Sequence, residues 1–450
     1  MAMDVAPSAT NAEPLSADEI ITLSKQYTLY EWVAQNVADP IAVATAKGSY
    51  FYTADGRRFL DFNSQSMSVN IGHGDQRVID AIAGQAQRLA FTSPFLAHEP
   101  RARLGRKLAE LTPGDLDVAF FTNGGADANE NAIKLARQFT GRHKVLARYR
   151  SYHGATGVAI AATGDPRRWA GEAGVSGIVR APDAHKWGRP EPEPADRALA
   201  DLEEVIMYEG GHTIAAFILE PVVGANGILI PADGYLQGVR EICDRHGILL
   251  IADEVMTGFG RTGRWFAVEH WGVVPDLLTM AKGLTSSYIP FGAVAMRQHI
   301  ADAFRERAYV GGLTYNSHPM GCAAALAVIE VMEQDGLVER SARMGEVMRS
   351  HHEGLMARHP SVGGHRNLGL FGVLDLVRDR RTHEPMAPFD GTSEEMQAIH
   401  RHFREHGLYA FLRYNMIHTN PPLTISEEEL AEGFDIIDAA LALADAGVRG

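Results

Sequence analysis

Short apolar runs alternate with longer segments of helical periodicity between residues 118 and 296. Because parallel strands need a crossover connection, usually a helix, this alternation is typical of βαβ units. Runs that are apolar at nearly every position indicate strands covered on both faces, as in a mostly parallel sheet. We therefore expect an α/β fold. The runs are Val118–Thr122, Val145–Tyr149, Ile214–Leu219, Ile248–Ala252, Leu277–Met280 and Phe291–Met296.

The two ends of the chain differ from this central pattern. Aromatic runs on both sides of Ala54-Asp55-Gly56 predict a β-hairpin, and a final helix is predicted over 426–447. The length of 450 residues exceeds the ~250–300 residues at which a single core stops growing. We expect an N-terminal segment with part of a small domain over 1–70, a large α/β domain over 71–325 and a small C-terminal α+β domain over 326–450.

Charge and cysteine content limit the partners and the compartment. Lys and Arg total 42 against 56 Asp and Glu, a net charge of −14 with histidine neutral. We therefore expect neither nucleic acid nor a membrane as a partner. Cys243 and Cys322 are too few for a disulfide framework, and no signal-peptide or membrane-spanning pattern is present, which predicts a cytoplasmic protein. His402 and His406 are spaced i,i+4 but lack the HExxH order, so no metal site is predicted.

A glycine turn follows the first apolar run. Phe120–Ala128 reads FFTNGGADA, and a helical segment comes directly after it. The free N–H groups and the positive dipole at a helix N-terminus suit a phosphate. The alternative is an ordinary βα turn in which glycine only allows tight geometry.

Three further residues stand just after apolar runs. Asp253 follows the run Ile248–Ala252, Lys282 comes shortly after Leu277–Met280, and Tyr152 comes shortly after Val145–Tyr149. Each residue also has a purely structural interpretation. Asp253 could be a capping or loop acid, Lys282 an exposed loop lysine, and Tyr152 an aromatic of the core. Taken with the glycine turn, they predict a site for pyridoxal phosphate, since that cofactor needs an amine, an acid for its ring nitrogen, a phosphate cradle and an aromatic neighbour.

At these residues the sequence resembles the class III aminotransferases, which belong to the fold-type I pyridoxal-phosphate enzymes. The resemblance covers nearly the whole chain and implies a large domain with a mostly parallel central sheet wrapped by helices, plus a smaller α+β domain from both termini. The motifs that carry it stand in the family's order: IGHGD (71–75), SYHGAT (151–156), ILEPVVGANG (218–227), IADEVMTGFGRTG (251–263), MAKGL (280–284), GGLTYNSHP (311–319) and NPPLTISEEEL (420–430).

The resemblance implies roles for the residues that match these motifs. Lys282 would be the Schiff-base lysine and would move the proton during catalysis. Asp253 would pair with the pyridinium nitrogen. Val255 and Tyr152 would pack on opposite faces of the ring. The phosphate would be bound by backbone N–H groups of the glycine turn, at Gly125 and Ala126.

Two more matches concern the substrate side and the assembly. Glu220 resembles an acid that lines the substrate side of the cofactor. Thr314 resembles the family's threonine that reaches the phosphate of the partner subunit. That match implies a homodimer with active sites at the interface, or a tetramer built from such dimers.

Some positions depart from the family's pattern. Many members have Ser-Gly-Ser-Glu-Ala where this chain has Gly124–Ala128, so a hydroxyl that could assist phosphate binding is missing. Many have Gln where Met256 stands. The ornithine and 4-aminobutyrate branch has an Arg near the place of His418. The chain is most similar to the amine–pyruvate branch, and within it to the taurine–pyruvate type.

Arg413 is the sequence's candidate for binding an acidic group on the substrate, because a guanidinium suits a carboxylate or sulfonate. The alternative is that Arg413 only pairs with Glu220 or a surface acid. Other substrate-pocket candidates are taken from the branch, with core packing as the alternative for the aromatic ones. They are Ser66, Met67, Phe91 and Phe95.

The expected activity is a pyridoxal-phosphate-dependent transamination. The amino group would pass from an ω-amino acid, an aminosulfonate or an amine to a 2-oxo acid, with pyruvate as the expected acceptor. The alternatives are a decarboxylase, lyase or aminomutase on the same scaffold, a phosphate- or nucleotide-binding module, and a non-catalytic homologue.

Overall fold

The computed structural model describes residues 13–172, 174–189 and 191–449. The strands, numbered β1 to β16 in chain order, are Val43–Lys47, Tyr50–Thr53, Arg58–Asp61, Val118–Thr122, Lys144–Arg148, Ile178–Ala181, Ile214–Leu219, Leu249–Asp253, Leu277–Met280, Gly292–Met296, Val362–Leu368, Phe371–Asp379, Glu384–Pro385, Leu408–Tyr409, Leu412–Arg413 and Met416–Thr419. The helices, α1 to α13, are Ala17–Tyr27, Ser64–Met67, Gln76–Leu89, Glu99–Leu111, Gly125–Thr140, Gly157–Ala162, Ala195–Glu209, Tyr235–His246, Gln298–Asp302, Pro319–Gln334, Leu337–Arg358, Glu394–Glu405 and Glu427–Asp445.

A seven-stranded sheet forms the centre, in the order β4-β10-β9-β8-β7-β5-β6. β10 is antiparallel to both of its neighbours, and the pairings from β9 through β6 are all parallel. All six apolar runs of the sequence became strands of this sheet, which confirms the predicted mostly parallel α/β architecture. The pattern missed β6, an edge strand whose positions are only partly buried apart from Ala181.

Both chain ends build the smaller α+β part. The hairpin β2–β3 forms as predicted, and β3 pairs in parallel with β14, which lies about 350 residues later in the sequence. A second sheet has the order β11-β12-β16-β15, with β13 pairing to β12. The pairing of β3 with β14 ties the N-terminal segment to the C-terminal region. The exact domain boundaries at 70 and 325 stay predictions.

Local sequence signals set the ends of several helices. At the start of α13, Ser426 and Glu429 form a reciprocal capping box, as the run of acids after Ser426 indicates.

Cys243 and Cys322 are both buried free thiols. Within the described residues there is no group of three metal-ligating side chains. Among the helices described, none combines the length and the apolarity needed to cross a membrane.

His418 gives the C-terminal sheet a pH-dependent stability. It is fully buried on β16, neither of its ring nitrogens has a hydrogen-bond partner, and burial lowers its pKa to about 3. The ordinary pKa is about 6.5, so below that pH the unfolded chain takes up a proton that the folded chain refuses. Stability should therefore fall as the pH drops from about 7 towards 3.

We expect His418→Leu to reduce this acid sensitivity. At pH 5 the wild-type penalty from this one group is about 2 kcal/mol, and the variant lacks it. The measurement is the unfolding midpoint at pH 7.5 and pH 5, with the surface variant His406→Leu as a control. An equal fall for wild type and His418→Leu would contradict this interpretation.

Candidate active site

The carboxyl ends of five strands meet at one edge of the central sheet. β4, β5, β7, β8 and β9 all lead to residues that the sequence singled out. Asp253 is paired with Thr279 in the register of β8 and β9, so the segment that holds Lys282 starts beside the acid. In open α/β sheets, ligands bind outside the carboxyl ends of the strands.

The glycine turn places the start of α5 at this edge. Gly124 is the N-cap, and the first intrahelical bond runs from the N–H of Ala128 to the Gly124 carbonyl. The N–H groups of Gly125 and Ala126 therefore have no partner within the helix. A Cβ on Gly125 would lie 2.8 Å from Cγ1 of Val255, so only glycine lets the turn approach that residue. The result is an anion cradle next to Val255.

Asp253 is held by donors from three directions. Its Oδ2 lies 2.7 Å from Nδ1 of His153 and accepts a hydrogen bond from Nδ2 of Asn129 at 2.8 Å. Its Oδ1 accepts from the N–H of Val255 at 3.1 Å. Asn129 also accepts from the hydroxyl of Thr279 at 2.7 Å, which links α5 to β8 and β9. Sequence reasoning missed Asn129 and His153, although both lie within the motifs it quoted or in the helix that follows.

Lys282 lies in a turn directly after β9. Its backbone has φ +43, a left-handed conformation that is rare for a residue with a side chain. Burial lowers the pKa of its amine to about 8, although the charges of Asp253 and Glu220 oppose the shift. A much larger share of this amine is neutral at pH 7 to 8 than for a surface lysine, as a nucleophilic amine requires.

Glu220, directly after β7, and Tyr152, in the loop after β5, are joined by a hydrogen bond. Glu220 is buried, and it accepts hydrogen bonds from the N–H of Tyr152 at 3.0 Å and of Gly224 at 2.8 Å. Burial raises the pKa of the Glu220 carboxyl. The guanidinium of Arg167 lies 3.6 Å from the centre of the Tyr152 ring, and Trp32 meets that ring edge-on at 6.3 Å.

Asp165 joins two arginines in a cluster that sequence reasoning did not find. Its Oδ2 accepts from Nη2 of Arg167 at 2.5 Å and from Nη2 of Arg413 at 3.1 Å. Burial alone would raise the pKa of this carboxyl, but the hydrogen bonds of Arg167 and the charge of Arg413 outweigh burial and lower it. Arg413 thus pairs with a buried acid, neither with Glu220 nor with one at the surface. The only sequence signal was Asp165-Pro-Arg-Arg, which also suits a solvated turn.

The substrate-pocket candidates separate into two groups. Met67 is buried in one apolar cluster with Tyr414 and Met416, next to Arg413, and the cluster also contacts Met256. Ser66 belongs to the same short segment, but it is exposed. His418 is a neighbour of this cluster: the centre of its ring lies 5.0 Å from that of Phe411, which packs against the cluster.

The second group lines a depression at the protein surface. Phe91, Phe95 and Thr314 line a surface depression of about 940 Å³ whose lining includes neither Lys282 nor Asp253. Phe95 is 94% exposed. Within one protomer, these three residues therefore share a depression that Lys282 does not line.

The residues at the sheet edge fit pyridoxal phosphate. The free N–H groups of Gly125 and Ala126 suit its phosphate, Asp253 its ring nitrogen and the amine of Lys282 its aldehyde. Tyr152 and Val255 offer an aromatic and an aliphatic surface for the ring. When bound, the cofactor supplies an aldehyde that condenses with primary amines and a protonated ring that withdraws electrons from the carbon bearing the amine.

Comparison with known proteins identifies the family. The family model for aminotransferase class III matches residues 32–441. A taurine–pyruvate aminotransferase of Bilophila wadsworthia is 34% identical over 392 residues, covering 82% of this chain and 84% of that protein. An omega-aminotransferase of Caulobacter vibrioides is 35% identical over 426 residues, covering 90% of this chain and 94% of that one.

A solved structure shows the same fold. The taurine:2-oxoglutarate aminotransferase from Bifidobacterium kashiwanohense, determined with pyridoxal phosphate and glutamate, superposes with a TM-score of 0.93 at 37% identity, covering 97% of this chain and 100% of that one. The strand-end amine and acid, the helix cradle and the family match agree with one another. The chain belongs to the class III aminotransferases, enzymes of fold type I that depend on pyridoxal phosphate.

Proposed function

We propose that this aminotransferase takes the amino group of an ω-amino acid, an aminosulfonate such as taurine, or a small amine, and passes it to pyruvate. The observation that carries the proposal is the Asp165 cluster. Two guanidinium groups share one carboxylate there, so the cluster has a net positive charge beside Tyr152. An acid group on the donor would balance that charge.

Arg413 has hydrogen-bonding capacity left for such a group. Its Nη2 is engaged by Asp165 and by the hydroxyl of Tyr414, whereas its Nε is buried without a partner. A buried donor without an acceptor costs about 1–3 kcal/mol, so a substrate oxygen that reorients this guanidinium gains from satisfying it. Relatives named for taurine and for 5-aminovalerate, a donor with a terminal amine and an acid at the other end, agree with this class of donor.

Residues of the chain then divide the chemical work. The Nζ of Lys282 would take the proton from the donor carbon that bears the amine and later deliver a proton to the acceptor carbon. Asp253, fixed by His153 and Asn129, would keep the cofactor's ring nitrogen protonated. The N–H groups of Gly125 and Ala126 would hold the cofactor's phosphate in place while the donor leaves and the acceptor binds.

We also propose that the enzyme works as a homodimer, or as a tetramer of two dimers. Thr314 lies exposed with Phe91 and Phe95 in a depression that its own Lys282 does not line. Val310 is also exposed in this depression, and Leu96 and Tyr315, next in sequence to Phe95 and Thr314, are exposed as well. An apolar surface of this kind favours a protein partner. A second copy seated on this surface would receive Thr314 at its own phosphate cradle.

The activity is tested by alanine formation from pyruvate. We expect alanine only when pyruvate and an amine donor are both present, with taurine, β-alanine, 4-aminobutyrate and a benzylic amine as the donor panel. Lys282→Ala should lower the rate at least about a thousandfold and lose the yellow, borohydride-reducible chromophore, whereas the exposed Lys47→Ala should keep both. Donor breakdown without an acceptor would instead identify a lyase or a decarboxylase.

The arginine cluster is tested by separating acidic from neutral donors. Arg413→Met and Arg167→Met should each raise the KM for taurine or β-alanine about 10- to 100-fold, because a charge-assisted hydrogen bond is lost. The KM for the benzylic amine, which has no acid group, should stay within about threefold. Arg106→Met, on the surface, should change the KM of neither donor. Equal losses with both kinds of donor would exclude a role in acid recognition.

The assembly is tested at Phe95. We expect Phe95→Glu to shift the protein from dimer to monomer in sedimentation velocity, because it buries a charge in the proposed interface. The affinity for pyridoxal phosphate should fall as well, since Thr314 of the second copy leaves the cradle. Tyr208→Glu, at another exposed aromatic, is the matched control. A Phe95→Glu dimer with unchanged cofactor affinity would contradict the proposed interface.

A further inference from the structure

Arg261 is a fully buried arginine that forms no ion pair with any carboxylate in the described residues. It lies in the loop after β8, and its side chain is the largest of those completely enclosed. A buried charge without an opposite charge is costly unless hydrogen bonds compensate it. The positions of its hydrogen-bond acceptors therefore show which parts of the chain Arg261 connects.

The guanidinium of Arg261 connects two separate parts of the chain. Nη1 donates to the carbonyl of Leu370, just before β12, at 3.0 Å and to that of Pro421, just after β16, at 2.6 Å. Nη2 donates to Oγ of Ser64 at 3.1 Å and to Oδ1 of Asn70 at 3.0 Å. One planar group thus joins the C-terminal sheet to the segment 63–70.

Ser64 begins the segment that carries Met67 into the apolar cluster with Tyr414 and Met416. Ser64, Gln65 and Met67 all have left-handed backbones, with φ of +46, +58 and +56. Such conformations cost free energy and persist only when neighbouring contacts hold them. Arg261 and the carbonyl of Asn420, which accepts from Oγ of Ser64 at 2.7 Å, hold the base of this segment.

Asn70 leads from Arg261 to the catalytic lysine. Its Nδ2 donates to the carbonyl of Phe259 at 2.8 Å, while its Oδ1 accepts from Arg261. A Cβ on Gly283 would lie 2.5 Å from that Nδ2, so the amide packs directly against the residue after Lys282. The strained turn of Lys282 is therefore supported by the same network.

We propose that Arg261 is a positioning residue that keeps the Met67 segment and the Lys282 turn in fixed register with the C-terminal sheet. Its planar fork of donors is needed, because four neutral oxygens in two directions must be bound at once. The effect through Met67 rests on the proposed function, in which the donor binds at Arg413, next to the cluster of Met67 and Tyr414. The effect on Lys282 does not, because it concerns the cofactor alone.

The test compares Arg261→Lys, which keeps the charge but loses the fork, with Arg340→Lys. Arg340 also donates to backbone carbonyls near the C-terminus, at Ile425 and Thr424, but makes no contact with Ser64 or Asn70. For Arg261→Lys we expect the KM of acidic and neutral donors alike to rise about tenfold, and the pH midpoint of the bound cofactor's absorption to shift. Arg340→Lys should lower only the melting temperature.

Two smaller changes separate the branches of the network. Ser64→Ala should raise the donor KM and leave the absorption midpoint unchanged, whereas Asn70→Ala should shift that midpoint and weaken cofactor binding to the apo-enzyme. If Arg261→Lys loses only thermal stability while KM, cofactor affinity and absorption stay at wild-type values, the residue is structural and the proposal fails. If no donor reacts with the wild-type enzyme, the proposed function fails. The cofactor affinity and absorption of Arg261→Lys then still show whether Arg261 positions the Lys282 turn.

Discussion

The hydrogen-bonded position of Asp253 is the constraint on which the site depends. A carboxylate with almost no solvent contact has to receive its donors from the protein, and here they come from α5, from the loop after β5 and from the chain just beyond Asp253 itself. Each donor belongs to an element that also carries another part of the site. Fixing the acid therefore fixes the anion cradle, the Tyr152 loop and Val255 relative to one another.

Parallel strands make this convergence possible. Because the carboxyl ends of such strands open at one edge, loops far apart in sequence bring an amine, an acid and an anion cradle together. The small α+β part then closes the site with Arg413 and Tyr414. Asp165 and Arg261 solve two opposite electrostatic problems there. One buried acid shares two cations, and one buried cation is satisfied by neutral oxygens alone.

Sequence reasoning predicted the elements that have local signals. The six apolar runs, the hairpin around Asp55 and the start of α13 all formed where propensity, turn chemistry and capping agree. It missed β6, since an edge strand with partly buried positions has no continuous apolar run. It also missed Asp165 and Arg167, because an acid beside two arginines in a turn looks the same in sequence whether it is solvated or buried.

The sequence by itself determined the fold class, the family and the residue types at the sheet edge, because periodicity and motif spacing are properties of the sequence alone. Only the tertiary structure decided which charges meet. Arg413 lies 248 positions from Asp165 in sequence, and Arg261 lies 191 from Asn70. It also placed Phe91, Phe95 and Thr314 together in a surface depression that Lys282 does not line. Such pairings depend on how layers pack and how burial removes water, and neither is encoded in any short stretch of residues.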